Sequence, residues 1–282
     1  LHWGPSYDRN RCKSTDAVQA FTPGTATRAM RYLKHFRRTA ALMCLAIAPT
    51  VLADDPREVW DGQTSPWLAS VGKLTVPGIR IEDGYPRHHI EDCSATLVKA
   101  SGAASADLVV TAWHCLAYYR DLSKTILFTL AAPDENPLQR SARRLTDGGG
   151  MHADWAILRL DRPMPAEMAI AISSPVDIAD DDKLVMAGYS GDAGIGDGGR
   201  HLTYHPDCRL TAASGNIVQT NCLAFKGASG GAVFRTSTTG TVELVGVVSE
   251  GDGETTSTYV PLARLRAPLD RFLGAAGLPA SP

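Results

Sequence analysis

The chain has 282 residues, 44% of them hydrophobic, and a formal net charge of −2. This composition is typical of a globular protein with enough apolar residues for one large core or two small ones. The first 53 residues carry a net charge of +6, so the remaining residues carry −8. Such an acidic body argues against a nucleic-acid partner, because binding to phosphates needs a basic surface.

The basic head of the chain has the pattern of a secretory signal peptide. Residues 30–38 are positively charged and residues 39–53 are apolar with small residues at the end, so we predict a signal peptide over 30–53 and cleavage before Asp54. The apolar stretch is too short to span a bilayer, which predicts a secreted or periplasmic protein without a stable membrane anchor. Residues 1–29 precede this pattern, and we interpret them as a leader of doubtful status.

The predicted mature part of the chain keeps four cysteines, which are Cys93, Cys115, Cys208 and Cys222. Four cysteines permit three pairings, of which the sequence-local one joins Cys93 to Cys115 and Cys208 to Cys222. Each of these loops would contribute about 3 kcal/mol in the chain-entropy model. The Cys-x2-Cys spacing that metal sites favour is absent from the sequence, so disulfides formed in an oxidising compartment are the favoured interpretation.

After residue 54 the chain has the pattern of short strands separated by frequent turns. In the first half, strand-length runs occupy residues 67–74, 94–98, 108–111, 126–131 and 155–160. A segment rich in proline and aspartate, 161–182, leads to a second set of runs at 183–187, 202–204, 217–220, 232–235, 242–249 and 257–260. Apolar residues recur at helical spacing near the end, which predicts a helix over about 262–274.

This order of elements predicts an all-β protein. Many short strands in two blocks, without alternating long helices, favour two small antiparallel β-barrels over a sheet flanked by helices. We place both barrels in one domain, residues 54–282, with the first at about 60–160, the second at about 183–262 and the short helix after them.

Three short motifs contain the residues of a nucleophilic site, in the chain order histidine, aspartate, serine. They are TAWHC around His114, HADWAIL around Asp154 and KGASGG around Ser229. A serine hydroxyl needs an imidazole to take its proton, and the imidazole needs a carboxylate to fix its tautomer. The Gly-x-Ser-x-Gly string also fits α/β-hydrolases, but their histidine follows the serine, whereas the last histidine here is His205.

These three motifs, in this order, resemble those of the chymotrypsin/trypsin family of serine peptidases. The resemblance covers about residues 60–274, and the short intervals between the motifs resemble the compact secreted bacterial members. It implies two six-stranded antiparallel barrels and a secreted serine endopeptidase that acts on protein or peptide substrates, needs no cofactor or metal, and is a monomer. A catalytically silent binding protein on the same fold and an esterase with the same triad are the alternatives.

The resemblance also implies a role for each matched residue. Ser229 would attack the scissile carbonyl, His114 would accept its proton, and Asp154 would orient the ring. The backbone N–H groups of Gly227 and Ser229 would form the oxyanion hole, where one donor contributes about 3 kcal/mol. Many family members pair a freed N-terminal ammonium with an aspartate just before the serine. Ala228 stands there and cannot form an ion pair, so we predict an oxyanion hole that forms without this switch.

The resemblance also implies which residues line the substrate cleft: Leu223, Ser249, Gly251 and Gly253. Leu223 aligns with the base of the specificity pocket, where an aspartate would select Lys or Arg. Because leucine has no charge and the glycines leave the walls open, we predict a preference for an uncharged side chain of medium size rather than cleavage after Lys or Arg.

Two other patterns are interpreted as surface features. Gly194-x-Gly196-x-x-Gly199 spells a dinucleotide fingerprint, but it lacks the strand and helix on either side, so we predict a surface loop. Four further histidines lack the helical spacing of a metal site and are interpreted as solvated loop residues: His88, His89, His201 and His205.

Overall fold

The computed structural model describes residues 55–120, 123–131, 136–172, 182–237 and 240–275. The predicted leader and signal peptide, and most of the acidic run before Asp182, lie outside the described residues. Among the described residues, no helix combines the length and the apolar character that crossing a bilayer would require.

Within these ranges more than half of the residues in the first half of the chain lie in strands. Its strands are β1 (Glu58–Val59), β2 (Val71–Glu82), β3 (Tyr85–Lys99), β4 (Ser105–Thr111), β5 (Ile126–Leu130), β6 (Leu138–Asp147), β7 (Ala156–Pro165) and β8 (Ile170–Ala171). Short 3₁₀ helices cover Pro66–Ser70, His114–Leu116 and Ala166–Met168.

The second half continues with strands and ends in a helix. Its elements are β9 (Leu184–Gly188), β10 (Thr203–Cys208), β11 (Leu210–Ser214), β12 (Ile217–Thr220), β13 (Ala232–Thr236), β14 (Val242–Gly251), β15 (Ser257–Pro261), a 3₁₀ turn (Leu262–Arg264) and α1 (Arg266–Ala275). The all-β fold with a short C-terminal helix is therefore confirmed.

The first sheet closes into a six-stranded barrel. Its strand order is β2-β5-β6-β7-β4-β3, and β3 pairs back with β2, while β8 adds to β3 in parallel. Alternate residues of β5 show why the barrel forms, since Ile126, Phe128 and Leu130 are buried and the residues between them are partly exposed.

The second sheet has eight antiparallel strands in the order β1-β10-β9-β13-β14-β15-β12-β11 among the described residues. β1, which precedes the whole first barrel in the chain, thus pairs with β10 at an edge of the second sheet. Both sequence-local disulfides are present, Cys93–Cys115 in the first half and Cys208–Cys222 in the second.

The hairpin of β2 and β3 is longer than the sequence pattern predicts. The two strands pair from Val71 opposite Thr96 to Glu82 opposite Tyr85. Asp83 and Gly84 make the turn with φ values of 52° and 82°, the positive values that a two-residue type I′ turn requires. The far end of the hairpin lies outside the core, because Tyr85 is 68% exposed.

Among the described residues, three clusters of buried side chains form the core. One lies inside the first barrel and includes Phe128, another lies in the second sheet around Tyr259, and a third contains residues of both halves, among them Val98, Phe234 and Leu269. The third cluster therefore packs the two halves against each other.

Candidate active site

His114 lies in the 3₁₀ turn that follows β4 and contacts the buried side chain of Asp154. Its Nδ1 is 2.8 Å from Asp154 Oδ2, and its backbone N–H donates to Oδ1 at 2.9 Å. Since Asp154 binds the Nδ1 edge, the opposite Nε2 edge of the ring is left for another partner. The disulfide between Cys115 and Cys93 ties this turn to β3.

Asp154 is fully buried, with 0% of its surface exposed, just before β7. Besides the two bonds from His114, Oδ2 accepts a hydrogen bond of 2.5 Å from the hydroxyl of Ser249 on β14. A buried carboxylate is costly unless its oxygens are hydrogen-bonded, and these three bonds meet that need. Ser249 is one of the residues predicted to line the substrate cleft, and its hydroxyl binds the carboxylate behind the histidine.

The electrostatics of this pair suit a base held by a carboxylate. Burial disfavours the charged imidazole, but the hydrogen bond and the charge of Asp154 outweigh it and raise the pKa of His114 above 6.5. Burial likewise disfavours the carboxylate, yet the bonds from His114 and Ser249 hold the pKa of Asp154 below its usual value. At neutral pH Asp154 is therefore ionised. Its charge raises the affinity of the His114 imidazole for a proton, which suits a general base.

Ser229 lies in the turn before β13, and its backbone is fixed to the first half. The N–H of Ser94 donates to the Ser229 carbonyl at 2.8 Å, and Cys115 Sγ lies 3.7 Å from the same oxygen. Ser229 is thus held beside the turn that begins at His114. In the described part of the chain its hydroxyl makes no hydrogen bond, and catalytic hydrogen bonds often form or tighten only when substrate binds.

The backbone around Gly227 and Ser229 presents two N–H groups without an acceptor among the described residues. The carbonyls of the same two peptides are both occupied: Lys226 O accepts from Gly191 N at 2.6 Å, and Ala228 O accepts from Gly231 N at 2.9 Å. Because N–H and C=O point in opposite directions across a trans peptide, these bonds turn both N–H groups the other way. Such a pair can bind a developing oxyanion.

Gly227 is glycine for two reasons. Its φ is 96°, a value that side chains with a Cβ rarely adopt, and a Cβ there would collide with the carbonyl oxygen of Tyr189. The turn therefore depends on glycine, as the sequence comparison with the serine motif implies.

Ser94, which the sequence analysis missed, connects these parts. Its hydroxyl donates to Gly227 O at 2.8 Å and accepts from the N–H of Tyr189 at 2.8 Å. Its own carbonyl accepts from the hydroxyl of Thr111 at the end of β4. The signal in the sequence is a small polar residue within an apolar strand, next to a predicted disulfide.

The residues predicted to line the specificity pocket lie near one another. Gly251 and Gly253 lie closer to the segment after Leu223 than the sequence predicts. A Cβ at Gly251 would collide with the carbonyl oxygen of Ala224, and a Cβ at Gly253 would lie 3.1 Å from the ring of Phe225. The two glycines thus let β14 and the following turn approach the segment after Leu223, instead of leaving the walls open. Leu223 itself is half-buried.

Three of the four histidines interpreted as loop residues lie in strands instead. His88 and His89 lie on β3, and His205 lies on β10, where its Nδ1 accepts the N–H of Leu223 at 2.8 Å. Burial lowers the pKa of His205, which keeps it neutral as this acceptor. His201 is exposed in the loop between β9 and β10, which also contains the glycine string, as predicted.

One group of potential metal ligands lies at the site. The ligand atoms of Cys93, His114 and Cys115 are within 4.8 Å of one another. The two sulfurs are bonded to each other, so they cannot act as the thiolates that a metal ion requires.

Comparison with known proteins assigns the chain to a family. A family model described as the trypsin-like peptidase domain matches residues 93–247, more than half of the 282 residues. The chain therefore belongs to the trypsin-like peptidase family, a class of peptide-bond hydrolases. The matched range contains His114, Asp154 and Ser229.

Solved structures agree with this assignment at the level of the fold. The crystal structure of a thermostable serine protease, AL20, from an extremophilic microorganism matches with a TM-score of 0.55 and 17% identity, covering 74% of this chain and 99% of that chain. At this identity the likeness shows the fold alone, and the trypsin-like fold is confirmed. No curated protein is similar enough in sequence to match the chain.

Proposed function

We propose that this protein is an exported serine endopeptidase that works through an acyl-enzyme. The observation that carries the proposal is the hydrogen bond between Nδ1 of His114 and the fully buried carboxylate of Asp154. The turn that begins at His114 lies beside the backbone of Ser229. In this arrangement Nδ1–H donates to the carboxylate, so Nε2 is the basic nitrogen and can accept the proton of the serine.

The reaction then follows from the positions of the groups. Ser229 Oγ forms a bond to the carbonyl carbon while its proton passes to His114, and the carbonyl oxygen becomes an oxyanion bound by the N–H groups of Gly227 and Ser229. Collapse breaks the C–N bond, and the leaving amine takes the proton from His114. Water, deprotonated by the same imidazole, then adds to the acyl carbon, and the C–O bond to Ser229 breaks as Ser229 Oγ takes the proton back from His114. Asp154 stabilises the imidazolium in both steps.

The proposed preference is for peptide bonds that do not follow Lys or Arg. Leu223 offers no carboxylate to a cationic side chain, and the close approach of Gly251 to Ala224 favours a small or medium uncharged group. The test is a digest of a proteome-derived peptide library by the mature protein. Cleavage mainly after Lys or Arg would contradict this specificity while leaving the proposed chemistry intact.

Export and a monomeric state belong to the same proposal. The two disulfides are typical of proteins from an oxidising compartment, and they support a secreted or periplasmic location together with the signal pattern at residues 30–53. Sequencing the N-terminus of the secreted product should give Asp54. Size-exclusion chromatography with light scattering should give the mass of one chain.

The decisive experiment is labelling with a fluorophosphonate, which reacts with activated serines. We expect the wild-type protein to be labelled at Ser229, and Ser229→Ala and His114→Ala to lose labelling. Ser214→Ala, a change of an exposed serine at the end of β11, is the matched control and should label normally. A folded wild-type protein that is never labelled would favour the catalytically silent alternative.

A second measurement separates a peptidase from an esterase. The purified protein is given a peptide blocked at both ends and an ester of the same acyl group. Internal cleavage of the blocked peptide supports an endopeptidase, whereas turnover of the ester alone would favour the esterase.

A further inference from the structure

Arg57 is a buried cation for which the proposed mechanism has no use. Only 5% of the residue is exposed, and it lies just before β1 in the first described residues of the chain. Its guanidinium pairs with Asp192 through two bonds, of 2.8 Å and 3.1 Å, and with Asp55 through Nε at 3.0 Å and Nη2 at 2.6 Å. A buried guanidinium with two carboxylate partners is an arrangement of high geometric specificity.

The same guanidinium also packs on an aromatic ring. Its Cζ lies 4.0 Å from the centroid of the Phe225 ring. The interaction with Arg57 holds the pKa of both carboxyl groups, Asp55 and Asp192, below their usual range. Arg57 therefore links three segments that are far apart in the sequence: the start of the described chain, the loop after β9, and the segment before Ser229.

Two of the residues that Arg57 contacts are chain neighbours of the groups that hold the Lys226–Gly227 peptide. Asp192 follows Gly191, whose N–H donates to Lys226 O at 2.6 Å, and Phe225 precedes Lys226. Asp192 also organises its own loop, since its backbone oxygen accepts from Gly198 N at 2.9 Å. Arg57 thus contacts both neighbours of the hydrogen bond that sets the direction of the Lys226–Gly227 peptide.

We propose that Arg57 is a positioning residue for the oxyanion loop, residues 225–229, and this inference rests on the proposed function. By pairing with Asp192 and stacking on Phe225, it keeps Gly191 in place to hold the Lys226 carbonyl, and so keeps the Gly227 N–H turned toward the substrate. A cation carried on a side chain of the same polypeptide thereby fixes the loop next to Ala228, where no ion pair can form. The alternative is an ion pair that only anchors the segment before β1.

The test uses variants that change the ion pair from both sides. Arg57→Met removes the positive charge, whereas Arg57→Lys keeps the charge but cannot bind a carboxylate in the bidentate way. Asp192→Asn removes the negative charge of the partner with little change in shape. The matched control is Arg235→Met, because Arg235 also binds two carboxylates, Asp182 at 3.0 Å and Glu243 at 2.6 Å, in the same sheet. Circular dichroism and thermal unfolding identify the variants that fold.

Two readouts distinguish positioning from anchoring. Amide hydrogen exchange is followed by mass spectrometry in peptides that contain the oxyanion loop, and kcat and KM are measured with a blocked peptide. We expect faster exchange in the loop and a kcat lower by about 10- to 100-fold in Arg57→Met and Asp192→Asn, with little change in KM, a smaller loss in Arg57→Lys, and wild-type behaviour in Arg235→Met.

Each outcome supports or overturns the positioning role of Arg57. Folded Arg57 and Asp192 variants with wild-type exchange in the oxyanion loop, or with faster exchange and unchanged kcat, overturn the positioning role and leave the proposed function standing. If Arg57→Met does not fold, Arg57→Lys and Asp192→Asn carry the test. If the wild-type protein hydrolyses no peptide, the proposed function fails, and the exchange measurement still tests whether Arg57 orders the loop.

Discussion

The two halves of the candidate site are held in place by different means. On the histidine side, a fully buried carboxylate binds His114 and Ser249 through side-chain hydrogen bonds, and a disulfide fixes the adjacent turn. On the serine side, the groups that would meet the oxyanion are backbone N–H groups, whose direction is set by hydrogen bonds to other backbone atoms and to Ser94.

This difference separates chemistry that is encoded locally from geometry that is assembled from distant segments. His114 and Asp154 need particular side chains, so any change of residue type at these positions removes a proton acceptor or a charge. The oxyanion loop needs a direction, which depends on Ser94, Gly191 and Arg57, all far from Gly227 in the sequence. We therefore expect the largest losses from the histidine side and graded losses from the serine side.

Asp154→Asn should give the largest effect and is the strongest test of the histidine side. The asparagine amide has no charge to stabilise the imidazolium, and its NH2 group can donate to Nδ1. The ring then favours the tautomer with the proton on Nε2, which cannot take the proton of Ser229. We expect kcat to fall by about 10⁴-fold with the fold retained, measured with a blocked peptide. The control is Asp161→Asn, a change of an exposed carboxyl on β7, which should keep wild-type activity.

A loss of less than about tenfold in Asp154→Asn would break the comparison, because losses of catalytic charge in such triads are far larger. It would mean that the position of the ring, held by its backbone N–H and the Cys93–Cys115 disulfide, matters more than the carboxylate's charge.

The same division explains what the sequence could predict. His114, Asp154 and Ser229 each lie inside a short motif, because the roles proposed for them depend on residue type, and the sequence-local pairing of the four cysteines is present in the structure. Most strand-length runs also correspond to observed strands, for example 232–235 to β13 and 257–260 to β15. The run at 67–74 is an exception, since its first residues lie in the 3₁₀ helix Pro66–Ser70 and β2 begins only at Val71. Alternation of buried and exposed residues is a local signal, so it could be read from the sequence.

What escaped prediction depends on tertiary contacts or weak local patterns. β6 (Leu138–Asp147) has three arginines among its residues and little apolar alternation, so only its pairing with β5 and β7 makes it a strand. The extension of the first hairpin contains Pro77 and Gly78, although Asp83-Gly84 is a turn signal that could have indicated it. Arg57 has no motif at all, since Asp192 lies 135 positions away.

Ser94→Ala should have an intermediate effect and tests the serine side. The change removes the bond to Gly227 O and leaves the buried Tyr189 N–H without its acceptor, so we expect a stability loss of about 1–3 kcal/mol. The oxyanion loop should lose part of its direction, which lowers kcat by about 10- to 100-fold with little change in KM. Thermal unfolding and steady-state kinetics measure the two effects.

The matched control for this prediction is Ser70→Ala. Ser70 is 1% exposed, and its hydroxyl donates to Trp67 O at 2.7 Å. Both residues lie in the 3₁₀ helix Pro66–Ser70. It should cost stability without lowering kcat. Equal kcat in Ser94→Ala and wild type would show that backbone bonds alone direct the oxyanion loop.

Glu250→Gln should have the smallest effect and sharpens the comparison by changing only the electrostatics around His114. The protonated imidazole cannot act as a base, so kcat/KM rises with pH through the pKa of His114, which lies above 6.5 mainly because of Asp154 and to a lesser extent because of Glu250 and Glu91. Removing the charge of the exposed Glu250 lowers that pKa, and the acid limb of the pH profile should move to lower pH while kcat on the alkaline plateau stays unchanged. Glu254→Gln, a change of another exposed carboxyl in the following turn, is the control and should not move the limb. Because charges near water are screened, the shift in Glu250→Gln should shrink at high salt, and a salt-independent shift would instead point to a change in the position of the imidazole.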